Sequence, residues 1–164
     1  VGSFRIDGKR YCAGCRDGKI GKPPRKEKLC MDFLKETFPE EKYEFTNNRT
    51  IPTSERGLLK KPYRPDFLFK RTFIKGTKCW RIILEVDEFR HRGLAYKCDK
   101  ERMSDIASVL GLQGVSTLFI RWNPDKKGVS MKKKYEILEK CLRHAFDNPP
   151  RETMGNYDAI YLFY

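Results

Sequence analysis

Two hydrophobic periodicities alternate along the chain. Apolar residues at helical spacing predict helices beginning near Glu27, over Asp99–Leu110 and after Asn123. Asp99 is expected to be the N-cap of the second helix, and Gly111 to close it. Short apolar segments predict strands at Asp66–Phe69, Trp80–Asp87, Val115–Trp122 and Tyr157–Tyr164. The second and third are expected to be buried, since Ile82-Ile83-Leu84 is continuously apolar.

The predicted order is α-β-β-α-β-α-β, with a further short strand near Tyr43–Phe45. A strand, a long helix and another strand indicate a parallel crossover, so we expect a three-layer α/β/α sandwich around a mixed sheet. Gly76 predicts a hairpin between the first two main strands. Residues 1–26, rich in Gly, Pro and charge towards their end, are predicted to form a basic arm, and residues 27–164 one α/β domain.

Charge suggests a class of partner. The 164 residues include 35 Lys and Arg against 22 Asp and Glu, a formal charge of +13. Three segments are notably basic, residues 1–34, 56–71 and 126–143, which favours a surface that follows a phosphate backbone. Neither a membrane-spanning run nor a signal peptide is recognisable, so we expect no membrane association and an intracellular, not secreted, protein, with a nuclear location left open.

The chain has six cysteines, and some of them are candidate zinc ligands. Reduced, buried thiols are the default for an intracellular protein, but Cys12 and Cys15 form a Cys-x2-Cys pair. That spacing lets two thiolates reach one Zn²⁺, with Cys30 as a candidate third ligand. A structural zinc ion needs four ligands, so an incomplete zinc site and three ordinary thiols both remain open.

Two acids stand in an unexpected place. Glu85 and Asp87 end the most hydrophobic predicted strand, and as residues i and i+2 they point to one face. Burying two neighbouring carboxylates requires a compensating positive charge, which is either an arginine in a structural ion pair or a metal ion. Asp66 opens the preceding strand and is expected beside Glu85, a donor set suited to Mg²⁺.

Other polar residues follow the acids. His91 comes four residues after Asp87 and can exchange a proton near neutral pH, while Arg90 and Arg92 can bind a phosphate. Surface roles are open for all three. The candidate nucleic-acid contacts are Arg64, Arg90, Arg92, Lys132, Lys133 and Lys134. For the aromatic residues Tyr63, Phe89 and Trp122, core packing is favoured over base stacking.

These residues resemble a nuclease family. Arg64-Pro65-Asp66-Phe67-Leu68-Phe69, then Ile83-Leu84-Glu85-Val86-Asp87 and His91, is similar to the very-short-patch-repair-like branch of the PD-(D/E)xK restriction-endonuclease superfamily. The similarity continues through Asp99-x-x-Arg102, Leu110-Gly111 and Phe119-Ile120-Arg121-Trp122-Asn123-Pro124, and so covers about residues 27–125.

The resemblance implies a metal-dependent endonuclease fold, with DNA a better candidate substrate than RNA. Asp66 and Glu85 would bind Mg²⁺ or Mn²⁺, His91 would be the catalytic histidine, and Glu27 the upstream helical acid. The family's usual Lys, two residues after the second acid, is replaced by Asp87. His91 or Asp87 would then orient the water. The alternative is a catalytically inactive module on the same fold that binds nucleic acid or assembles with proteins.

Overall fold

The computed structural model describes most of the chain from residue 25 onwards. For residues 3–6, 9–12 and 94–99 it describes the backbone alone. Both backbone and side chains are described for residues 25–51, 63–88, 100–111, 114–151 and 157–164.

Helices and strands alternate through the second half of the chain. The helices are α1 (Lys26–Thr37), α2 (Glu40–Tyr43), α3 (Leu94–Gly111) and α4 (Met131–Asp147). The strands are β1 (Ser3–Ile6), β2 (Lys9–Cys12), β3 (Phe45–Asn47), β4 (Phe67–Phe69), β5 (Phe73–Lys75), β6 (Lys78–Val86), β7 (Ser116–Trp122) and β8 (Tyr157–Leu162).

Six strands form one mixed sheet, which confirms the predicted α/β class. The strand order is β3-β4-β6-β7-β8, and β5 pairs with β6 outside this path. The β3–β4, β4–β6 and β5–β6 pairs are antiparallel, whereas β6–β7 and β7–β8 are parallel. Helices α3 and α4 connect the parallel pairs, which confirms the predicted parallel crossover.

Strand β6 separates two hydrophobic clusters. Ile82, Leu84 and Val86 pack in a cluster that includes residues of α1 and α4, whereas Ile83 packs in a second cluster with residues of α3. Alternate residues of a strand point to opposite faces, which explains this division. Because β6 is buried on both faces over its second half, its sequence reads as a continuous apolar run.

Helix α4 is held at both ends by specific contacts. The Ser130 hydroxyl caps the first turn by accepting a hydrogen bond from the Lys133 amide at 3.3 Å. Near the other end, the buried Trp80 indole donates to the Ala145 carbonyl at 2.8 Å, and Phe146 stacks on Phe73. The contacts of Trp80 on β6 and Phe73 on β5 fix the helix against the sheet.

Several sequence predictions need correction. The hairpin at Gly76 joins β5 to β6 and not the first two predicted strands, since the sequence did not predict the short strand Phe73–Lys75. Gly76 has a φ of +60°, which suits a tight turn. Helix α3 begins at Leu94, so Asp99 lies inside it and is not its N-cap. The helical spacing that predicts α1 also includes Leu29 with Phe33, Leu34 and Phe38, but Leu29 is 40% exposed and lies off the buried face of the helix.

Strands β1 and β2 form a separate antiparallel pair within the predicted arm. The division into an arm of residues 1–26 and a domain of residues 27–164 stays a prediction. Among the residues described, no helix combines the length and the apolar character needed to cross a lipid bilayer.

Candidate functional site

Asp66 and Glu85 lie side by side at one end of the antiparallel β4–β6 pair. Phe67 pairs with Leu84, and Asp66, one residue before Phe67, therefore comes beside Glu85. Oδ2 of Asp66 accepts a hydrogen bond from the Val86 amide at 2.7 Å, which fixes its carboxylate against β6. The predicted juxtaposition of these two acids is present in the structure.

Glu27 reaches the same region from the first turn of α1. Its Oε1 accepts hydrogen bonds from the side-chain amides of Asn47, at 2.9 Å, and of Asn48. Both asparagines also bind the Asp66 carbonyl, Asn47 through Nδ2 at 2.9 Å and Asn48 through its backbone amide at 3.0 Å. The end of β3 therefore links Glu27 to the backbone of Asp66.

The electrostatics of these acids are unusual. Burial, followed by the nearby charge of Glu27, raises the pKa of Asp66 from 3.8 to about 6. Glu85 is 5% exposed. Burial, together with the charge of Asp66, raises its pKa from 4.5 to about 8, although Arg102 and Arg121 oppose the rise. The two carboxylates thus lack full charge compensation.

Arg102 on α3 is the direct partner of Glu85. Its Nη2 donates to Glu85 Oε1 at 2.9 Å and to the carbonyl of Arg64 at 3.0 Å. The Arg102 side chain is 28% exposed, against 6% for that of Glu85. A guanidinium that is both partly exposed and beside a buried acid can exchange one anionic partner for another.

Asp87 has a different environment from Glu85. Arg121 binds it with both a 2.7 Å bond from Nε to Oδ2 and a 2.5 Å bond from Nη2 to Oδ1. The Tyr164 hydroxyl also donates to Oδ2. This arrangement matches the structural ion pair that the sequence left open as one explanation of Asp87.

Comparison of the chain with protein-family models, with curated proteins and with solved structures finds no match in any of the three. The family resemblance therefore depends on the sequence motifs alone.

The donor chemistry of Asp66 and Glu85 suits a divalent cation. Mg²⁺ typically takes one or two carboxylates and completes its octahedron with water and substrate phosphate. In the hydrogen bonds above, Asp66 accepts through Oδ2 and Glu85 accepts through Oε1. Within the ranges that the structure describes, no group of three or more His, Cys, Asp or Glu could hold a metal ion. A cation here would rely on the two acids and on ligands from solvent or substrate.

Several predicted residues lie outside the described part of the chain. His91, Arg90, Arg92, Phe89 and Cys15 are among them, and of Cys12 only the backbone in β2 is described. Cys30 is described: its thiol is fully buried in the cluster of α1 and α4, where burial raises its pKa. Zinc binding by Cys12, Cys15 and Cys30 stays a prediction.

The predicted basic contacts divide into exposed and buried residues. Arg64, Lys132 and Lys133 are exposed. Lys134 is 3% exposed, and its ammonium donates to the carbonyls of Pro124 at 2.6 Å and Lys126 at 2.5 Å. The structure therefore places Lys134 inside the protein, where it holds the turn between β7 and α4.

Tyr63 and Trp122 are buried, as the core-packing interpretation favours. Tyr63 donates to Asp105 at 2.6 Å, and Trp122 is fully inaccessible.

Sequence reasoning assigned no role to Arg102, Arg121, Asn47 or Asn48. One signal was available for Arg121, which interrupts the apolar strand β7 just as Glu85 interrupts β6. The two residues are register partners across the parallel β6–β7 pair. The asparagines carry no such signal, because they lie in a polar stretch where their contacts depend on tertiary structure.

Proposed function

We propose that the protein is a divalent-metal-dependent endonuclease that hydrolyses phosphodiester bonds, with DNA as its substrate. The observation that carries the proposal is the pairing of Asp66 with Glu85, two acids of raised pKa, in a chain of net charge +13. The proposed architecture is the three-layer α/β/α restriction-endonuclease-like core, preceded by the short cysteine-containing arm.

In this proposal Asp66 and Glu85 hold Mg²⁺ or Mn²⁺. The bound ion would lower the pKa of a coordinated water and neutralise charge on the phosphate. Asn47 and Asn48 position Asp66 and Glu27 through the hydrogen bonds described above.

In this proposal Arg102 changes its partner when substrate binds. Without substrate it compensates Glu85, and with substrate its exposed side can donate to a phosphate oxygen. His91 is proposed to orient or deprotonate the water. Asp87, held by Arg121, supports the site and does not act as the base.

The test is a cleavage assay on single-stranded, duplex, branched and mismatched DNA and on RNA, in Mg²⁺, Mn²⁺ or EDTA. Asp66→Asn and Glu85→Gln should lower cleavage by more than the 10- to 100-fold (an order-of-magnitude range) that loss of an outer-shell partner costs. The matched controls are Asp32→Asn, an exposed acid on α1, and Glu136→Gln, an acid on α4 whose side chain is 43% exposed.

The second candidate is a catalytically inactive module that binds nucleic acid. The Arg102–Glu85 and Arg121–Asp87 ion pairs favour it, since they partly compensate the acids from within the chain. Binding of nucleic acid in EDTA, with no cleavage of any substrate in Mg²⁺ or Mn²⁺, would support this module. Cleavage that Asp66→Asn and Glu85→Gln leave unchanged would refute the assigned site.

A further inference from the structure

An exposed aromatic side chain lies near the candidate site. Among the described residues, three large hydrophobic side chains are exposed: Leu29 (40%), Ile74 (69%) and Tyr161 (36%). Leu29 is on α1 and Ile74 on β5, whereas Tyr161 is on β8. Tyr161 is thus the aromatic member of this exposed set.

The sheet register aligns Tyr161 with the acids. Glu85 pairs with Arg121 on the next strand, and Arg121 pairs with Tyr161 on the strand after that. Register partners share one face of a sheet, and neighbouring strands are ~4.8 Å apart. Tyr161 therefore stands about 10 Å, two strand spacings, from Glu85 on the same face of the sheet. Asp66 continues this row on the other side of Glu85.

The residues of β8 on this face divide between the core and the end of the strand beside the acids. The cluster that contains Ile106 and Leu110 of α3 includes Phe119, with Tyr157 and Ala159 packed against it. Tyr157 and Ala159 come earlier on β8, and Tyr161, which is 36% exposed, follows them at the end of the strand. The end of the strand beside the acids thus presents a ring to solvent.

Tyr161 is also held in place. The ring of Tyr164 meets it edge to face, with centroids 5.1 Å apart and an interplanar angle of 86°. Phe163 between them has a φ of +66°, in the left-handed region that favours glycine, and this turn redirects the chain. The Tyr164 hydroxyl donates to Asp87, which Arg121 binds through both carboxylate oxygens. The aromatic pair is therefore connected to the row of charged residues.

We propose that Tyr161, supported by Tyr164, is a stacking platform for a nucleobase that flanks the phosphate held at Asp66 and Glu85. The inference rests on the proposed nuclease function and adds to it a contact with the base. An aromatic ring accepts the π-face of any base, so the contact is tolerant of sequence and requires an unpaired or distorted nucleotide. The charge of +13 supplies the complementary attraction for the phosphate backbone.

The test measures binding in EDTA, where cleavage does not occur. Single-stranded and duplex oligonucleotides carry the fluorescent base 2-aminopurine at successive positions, so that stacking is detected as quenching. The variants are Tyr161→Ala, Tyr161→Leu and Tyr161→Phe, with Ile74→Ala as an exposed control on β5. Circular dichroism verifies that each variant is folded.

Stacking predicts that Tyr161→Ala weakens binding of single-stranded DNA by about 5- to 100-fold and abolishes quenching at one position. Tyr161→Leu should resemble Tyr161→Ala, whereas Tyr161→Phe keeps the ring and should bind within about twofold of wild type. Ile74→Ala should leave both readouts unchanged.

The outcomes separate this inference from the proposed function. If Tyr161→Ala binds as wild type does while cleavage still requires Asp66, the platform is refuted and the nuclease stands. If Tyr161→Leu binds as tightly as Tyr161→Phe, Tyr161 makes a general apolar contact typical of a protein partner, and stacking is refuted. If the wild type binds no nucleic acid, both proposals fail.

Discussion

Replacing Glu85 by glutamine should stabilise the metal-free protein at neutral and alkaline pH. Burial raises the pKa of Glu85 from 4.5 to about 8. Since each pKa unit corresponds to 1.36 kcal/mol, ionising Glu85 in the folded state costs about 5 kcal/mol relative to the unfolded chain. The neutral amide of Glu85→Gln avoids this cost and keeps the size of the side chain.

The stability difference between wild type and Glu85→Gln should depend on pH. Below pH 4.5 both the folded and the unfolded wild type hold the proton on Glu85, so the two variants should be equally stable. Between pH 4.5 and about 8 only the folded protein keeps that proton, so the stability of the wild type falls as pH rises. The advantage of Glu85→Gln should be about 3 kcal/mol at pH 7 and reach about 5 kcal/mol above pH 8.

Urea denaturation in EDTA at pH 4.5, 7 and 9 measures this difference. The control is Glu136→Gln, whose side chain is 43% exposed and paired with Lys133, and its effect should stay within about 0.5 kcal/mol. A Glu85→Gln protein that is less stable than wild type at pH 7 and 9 would refute the reasoning. It would mean that Arg102 and Arg121 stabilise the ionised Glu85 by more than its burial costs.

Two further predictions concern buried charges. Arg121→Met removes the bidentate partner of Asp87, whose side chain is 13% exposed, and leaves that carboxylate without its charged partner. The free energy of unfolding should fall by about 3–5 kcal/mol in urea denaturation, and a loss below 1 kcal/mol would contradict this. Lys134→Met leaves the Pro124 and Lys126 carbonyls without their donor and should cost about 1–3 kcal/mol in thermal denaturation, whereas Lys133→Met should change stability by at most about 0.5 kcal/mol.

The sequence predicted elements best where packing follows a regular period. Helix α4 and strands β6 and β7 carry most of their buried apolar residues at regular spacing, and the parallel connections follow from their order. The short strand β5 was missed because Phe73 is its sole buried residue, which leaves no period to detect. Lys134 was assigned to the surface because it lies in a run of three lysines, although its helical position faces the protein interior.

The candidate site shows the same limit. The juxtaposition of Glu85 and Asp66 was predictable, because a carboxylate in or beside an apolar strand is conspicuous and strand pairing brings the two together. Their partners were not, since Arg102 and Asn47 approach from a helix and a strand distant along the chain. Such contacts depend on how the elements pack, which the periodicity of single elements does not specify.

The cost of ionising the acids of the site bears on the proposed cation. Arg102 and Arg121 both lower the pKa of Glu85, yet it still reaches about 8, and that of Asp66 reaches about 6. The arginines therefore offset only part of the cost of burying these acids, in a chain whose surplus of 13 positive charges offers other basic side chains. Full compensation by a fixed arginine or lysine would leave little gain for a bound metal ion. An undercompensated carboxylate pair retains a driving force for binding one, so we expect divalent-ion affinity to rise with pH as these acids lose their protons.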